Sequence, residues 1–162
     1  SFPSSVLPLL LSIPLPLQQL NVTVEEAFLK FNFAPAMLRR NIAVLGLLHK
    51  RVLGLCHPSF EELLPWYSHK VDTPRGFGHN KQLYDHRMEV THQRSLFDRS
   101  IFGIIDFYNN LSQQLVDSPN VSVFQISLTN IAKARCKRGD LDWQFSFNRL
   151  HGPDVDSRII SV

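Results

Sequence analysis

The chain of 162 residues has room for one domain, and 44% hydrophobic with 19% charged residues is the composition of a folded chain, not a disordered one. Two cysteines, Cys56 and Cys136, exclude a disulfide-rich scaffold and a four-cysteine zinc site, and the overall composition excludes collagen, coiled coil and multi-span membrane protein. A net charge of +3 and a pI near 9.1 lean mildly towards anionic partners.

Residues 1–20 are an apolar arm. Pro3, Pro8, Pro14 and Pro16 break it too often for a membrane helix, and no basic residue precedes Lys30, so the basic start of a secretory signal is missing. The chain opens on Ser1 and not on Met, as a fragment or a processed product would. The arm either packs on its own domain or lies along a neighbour, in which case Leu9, Leu10 and Leu11 are docking candidates.

Residues 21–138 are predicted as a helical domain. Thr23 and Glu26 have capping-box spacing, which starts a helix from Val24 to about Phe33. Pro35 fits a first helical turn. From Ala36 to Leu55, Leu38, Ile42, Leu45, Leu48, Val52 and Leu55 recur in steps of three and four, the stripe of a core-facing helix. Pro58 ends that run. Ser59 and Glu62 repeat the capping-box spacing and open a short helix through Leu64. Residues 68–92 carry no period and are expected to form a long loop. Phe97, Ile101, Ile104, Ile105 and Tyr108 then predict one amphipathic helix over about 93–109, followed by a short turn around Ser112–Val116. Ser118 with Pro119 reads as a helix start, and Val121, Phe124, Leu128 and Ile131 line a helix to about Cys136, with Gly139 as its stop. Residues 139–162 form an aromatic tail, in which Leu141, Trp143, Phe145 and Phe147 alternate with polar residues like a strand.

The expected fold is therefore mainly α: an irregular bundle of four or five helices, an extended Pro-rich N-terminal arm and a short C-terminal strand. Its expected core is Phe28, Leu38, Ile42, Leu45, Leu48, Val52, Ile101, Ile104, Phe124, Leu128 and Ile131.

The cations fall into two clusters. Lys30, Arg39, Arg40, Lys50 and Arg51 have no acidic residue among them, as either a solvated face or a phosphate-contacting face would. Lys133, Arg135, Lys137 and Arg138 sit at a helix C-terminus, where the macrodipole alone accounts for them. Seven histidines raise the question of metal, but their spacing fits no structural zinc site, and no metal or cofactor is expected. Glu25–Glu26 and Glu61–Glu62 occupy first helical turns, which accounts for them without catalysis. There is no Walker loop and no dinucleotide fingerprint. Three glycosylation sequons, at Asn21, Asn110 and Asn120, lack the signal that would make them matter.

Several blocks together form a pattern. Val24-Glu25-Glu26-Ala27-Phe28 precedes Leu38-Arg39-Arg40-Asn41-Ile42 and Leu47-Leu48-His49-Lys50. Pro74-Arg75-Gly76 and His79 follow. Then come Phe97-Asp98-Arg99-Ser100, Tyr108-Asn109-Asn110-Leu111-Ser112, Leu115-Val116-Asp117-Ser118-Pro119, Val123-Phe124 and Leu128. Over about Asn21–Lys133 this resembles the region after the reverse-transcriptase palm in LINE-type non-LTR retrotransposon polyproteins, with Tyr108 in place of that family's Trp and Ser112 in place of its Pro. The resemblance implies the helical thumb and the region downstream of it, a part that supports or grips the template–primer duplex. The palm's Tyr/Phe-x-Asp-Asp metal motif does not occur here, so no catalysis is expected of this chain.

The resemblance implies a nucleic acid duplex or RNA as partner and an intracellular setting, nuclear or cytoplasmic. Lys30, Arg39, Arg40, Lys50, Arg51, Arg135, Lys137 and Arg138 are the candidate contacts. The alternative is a mobile-element-derived structural subunit, docked on a larger protein assembly through the arm and through Trp143, Phe145 and Phe147.

Overall fold

The computed structural model describes residues 21–67, 79–86, 92 and 94–148. The arm with Leu9, Leu10 and Leu11, most of the 68–92 loop and the end of the tail lie outside them. The described residues are mainly helical and contain no β-strand. None of their helices is long and apolar enough to cross a membrane.

Helix α1, Val24–Phe31, begins as its spacing predicts. The Thr23 hydroxyl accepts from the Glu26 amide at 3.1 Å, and the Glu26 carboxylate accepts from the Thr23 amide at 3.4 Å. Asn32 closes the helix in the left-handed region, at φ 58°. Helix α2, Ala36–Val52, buries Leu38, Ile42, Leu45 and Leu48, the predicted stripe. It ends at Val52, three residues before the predicted end at Leu55. Helix α3, Ser59–Leu63, has Pro58 at its cap and not Ser59. The Ser59 amide donates instead to His57 Nδ1 at 3.2 Å.

The single helix expected over 93–109 is broken in three: α4 (Arg94–Arg99), a 3₁₀ turn (Ile101–Ile104) and α5 (Ile105–Asn109). Ser100 causes the break, because its hydroxyl accepts from the Phe102 amide at 3.2 Å and so starts a new turn. Gly103 permits it: a Cβ there would run into the Asp98 carbonyl. Helix α6, Gln113–Val116, is capped by Ser112. Helix α7, Val121–Lys137, is capped by Asn120, whose side chain accepts from Val123 at 2.9 Å. Ser118, the predicted cap, is buried, and its carbonyl faces His49 instead.

Helices α2 and α7 cross at close range. At Gly46 the Gln125 side-chain amide lies where a Cβ would stand, so a larger residue there would have to push that amide aside. Around that crossing lies one core. It contains Phe28, Leu38, Ile42, Leu45, Leu48, Phe124 and Leu128 as expected, with Val52, Ile101, Ile104 and Ile131 partly buried at its border. Leu64, Leu83, Ile105, Tyr108, Leu111, Val116, Ala132, Cys136, Trp143 and Phe147 complete it.

One expectation fails here for a physical reason. The aromatic tail is not a strand: Trp143–Phe145 form a 3₁₀ turn. Its rings fold inward, Trp143 stacked on Phe28 at 4.9 Å between centroids and Phe147 edge-on to Phe107 at 5.6 Å. The described part of the long loop, residues 79–86, is likewise packed. The Asn109 side chain receives the Leu83 amide at 2.9 Å and donates to the Leu83 carbonyl at 2.7 Å, standing in for a strand partner. Trp66 and Leu83 form an isolated antiparallel bridge.

Candidate nucleic-acid interface

Helix α2 carries half of the candidate cations. It carries no acidic residue, and Arg39, Arg40 and Lys50 are all exposed. At roughly 100° per residue, Arg39 and Lys50 lie about 20° apart around the axis, and Arg40 and Lys50 about 80°. Exposed Ala36 and Ala43 lie between them. The outer face of α2 is thus a cationic stripe with small residues between its charges. Arg40 at one border is partly held: its Nη2 donates to the Arg99 carbonyl at 3.0 Å.

Arg51 leaves this set. By rotation it shares the azimuth of Arg40, being eleven residues further on. The C-terminal end of α2 is covered, however, by the segment after α3. Arg51 is buried, its Nε donates to the Leu64 carbonyl at 3.1 Å, and its guanidinium stands 5.1 Å from the centre of the Trp66 ring. Lys30 is exposed but paired with Glu26 at 3.2 Å, and that pairing, with the Thr23 amide, holds the Glu26 carboxyl below its ordinary value.

The second cluster divides in the same way. Arg135 holds Asp140 through Nη2 at 2.6 Å and Nε at 2.7 Å, and donates from Nη1 to the Ser146 hydroxyl at 3.2 Å. Partial burial alone would raise the Asp140 carboxyl, but the Asp142 amide and Arg135 hold it below its usual range. Lys133 lies over the Phe28 ring at 5.6 Å. Lys137 and Arg138 are exposed at the end of α7. Trp143 and Phe147, the tail's docking candidates, are buried in the chain's own core, and Phe145 is half-buried.

No family model, curated protein or solved structure matches this chain. Its site is therefore built from its own residues alone.

The inner face of α2 carries a polar network that residue spacing did not reveal. His49 is fully buried and stacked on Phe124 at 4.2 Å. Its Nε2 lies 3.0 Å from the Ser118 carbonyl, which can only accept, so Nε2 carries the proton. Nδ1 is then an acceptor for the Tyr108 hydroxyl at 3.1 Å. The same logic fixes His79, whose Nε2 donates to the Tyr108 carbonyl at 2.9 Å while Nδ1 accepts from the Lys81 amide at 3.0 Å. Burial pushes both imidazoles below their ordinary value and the Tyr108 phenol well above its own. Lys81 reaches on to the Val116 carbonyl and to Asp117, at 3.2 and 2.8 Å.

These histidines are thus neutral, doubly hydrogen-bonded and structural. Among the described residues no three His, Cys, Asp or Glu side chains converge as a metal site would require. The signal that could have found the network is a His within a run of apolar positions, which needs a distant polar partner.

Proposed function

We propose that this chain is a non-catalytic, nucleic-acid-associated helical element of the kind that follows the palm in non-LTR reverse transcriptases. The observation that carries the reading is the outer face of α2: Arg39, Arg40 and Lys50 exposed on one stripe of a helix without acidic residues. Such a face holds phosphates without reading bases, which is what supporting a duplex requires. A second support is internal. His79, Tyr108, Phe124 and Leu128, which carry the resemblance, meet around one part of the core. In the docking-subunit reading the tail supplies an adhesive strip, and the burial of Trp143 and Phe147 in the chain's own core weighs against that part of it.

The test is duplex binding by fluorescence anisotropy between low and moderate salt. If Arg40 and Lys50 each hold a phosphate, replacing both by Ala lowers the log–log salt slope by roughly 1.8 for a B-form duplex. Far-UV circular dichroism should be unchanged. An unaltered slope, or no binding by the parent chain at low salt, overturns the proposal.

A further inference from the structure

A groove of about 310 Å³ opens beside the cationic stripe, between the first half of α2, the turn at Ser100–Gly103 and residues Phe147 and Asn148. That volume is at the small end of the roughly 300–1,000 Å³ of small-molecule sites. Val44, Ile104, Phe107 and Phe147 give it apolar walls. Asn41 also lines it, in the middle of α2. The Asn41 side chain is 6% exposed, and its Nδ2 has no hydrogen-bond partner and no contact with solvent. A buried amide donor without an acceptor is an exception in folded proteins and asks for an explanation.

We propose that the groove binds a small organic carboxylate with an aromatic-sized apolar body. The body lies against Phe107 and Phe147. The carboxylate accepts from Arg40, which keeps donors beyond the one given to Arg99, and from Asn41. Rotation about χ2 of Asn41, a broad and roughly two-fold torsion, turns the orphaned NH2 towards the ligand. Asp98 and Arg99 share the lining with Arg40, so its charges sum to one positive charge, which one carboxylate neutralises and a phosphate dianion would exceed. That favours the singly charged ligand. Arg40 is shared with the duplex-binding stripe, but Lys50 lies outside the groove, so Lys50→Ala separates the two readings.

The experiment is a titration of the full ¹⁵N-labelled chain with 4-phenylbutyrate, read at the Asn41 side-chain NH2 resonances and at the backbone amides of Val44 and Ile104, which every variant keeps. A saturable shift is expected, with the uncharged 4-phenylbutanamide and the Arg40→Ala variant each about tenfold weaker, the scale of one charge-assisted contact. Lys50→Ala should bind the carboxylate as the parent does, even where it loses duplex affinity, so the two readings fail separately. Asn41→Leu should stay folded and lose the carboxylate; should it not fold, Arg40→Ala carries the test. No saturable shift up to about 10 mM probe, a limit far above millimolar affinity, overturns the proposal. So does equal binding of the amide, or tighter binding of phenyl phosphate. Nuclear Overhauser contacts between Asn41 and residues 149–162 in the free protein would assign the groove to the chain's own tail and overturn it as well.

Discussion

Helices α2 and α7 each carry a group of cations, and the two groups have different fates. On α2, Arg39, Arg40 and Lys50 stay at the surface, and only Arg51 is drawn in, by Leu64 and Trp66. On α7, Arg135 is tied to Asp140 and Ser146, and Lys133 lies over Phe28, which leaves Lys137 and Arg138 beside the carbonyl end of the helix. The next few residues separate the two cases. After α7 the chain turns back at once with Asp140, Trp143 and Ser146, and covers the helix end. Among the described residues the outer face of α2 has no such return, because Leu64 and Trp66, after α3, reach only its last turn. Charge clusters of similar composition therefore become either structure or surface according to the path the chain takes after them.

The contrast can be broken by mutation. The largest effect belongs to the inward arginine of α2. Arg51→Ala leaves the Leu64 carbonyl without its donor and removes the cover of Trp66; it should cost about 2–3 kcal/mol in a denaturant titration. Arg135→Ala comes next, at about 1–2 kcal/mol, since charge-assisted bonds to Asp140 and Ser146 are lost together. Neither change should alter the salt slope of duplex binding, and a flattened slope for Arg135→Ala would put α7 in the interface after all.

Acid tests the inner face of α2. Burial holds His49 and His79 below the ordinary imidazole value of 6.5, so the unfolded chain takes up protons that the folded chain refuses. Stability is full above that value and falls as pH drops below it, by roughly 1 kcal/mol per pH unit for each histidine until its folded value is reached. Urea midpoints at pH 7.5 and 5.5 measure this, and His49→Phe should lessen the dependence by removing one of the two groups. The smallest stability change is expected of Arg40→Ala with Lys50→Ala, within about 0.5 kcal/mol, as for exposed charges elsewhere. A larger loss would mean that the stripe is structural too.

Much of this arrangement was legible in the sequence, and the reasons for the misses are local. The helical class, the α1 capping box and the Leu38–Leu48 stripe follow from spacing alone. The break at Ser100 was hidden because Ile101, Ile104 and Tyr108 keep a helical period through a 3₁₀ turn. The tail misled in the opposite sense: Trp143, Phe145 and Phe147 alternate as a strand does, but a short apolar segment next to a helix end can bury its rings by turning back instead. Ser118-Pro119 looked like a cap, and Asn120 took that place because its side chain reaches the Val123 amide. Of the site, a broad face shared by Arg40 and Lys50 follows from helix rotation, whereas the burial of Arg51 depended on a segment more than ten residues away. His49, set among apolar positions, signals only that a polar partner is needed; which partner it finds, and that Asn41 Nδ2 finds none, is decided across the core.

The bonds of His49 span long stretches of chain, 59 residues to Tyr108 and 69 to Ser118. Local helices can form early, within microseconds, but this ring finds its partners only after two large loops have closed. A collapsed intermediate with α2 displaced by one turn along α7 would still cover its apolar stripe, yet it would strand the imidazole, the phenol and a carbonyl inside. The network therefore discriminates among compact arrangements that oil-like burial alone would rank as near equals, and it does so late, at the step where the chain commits to a single register.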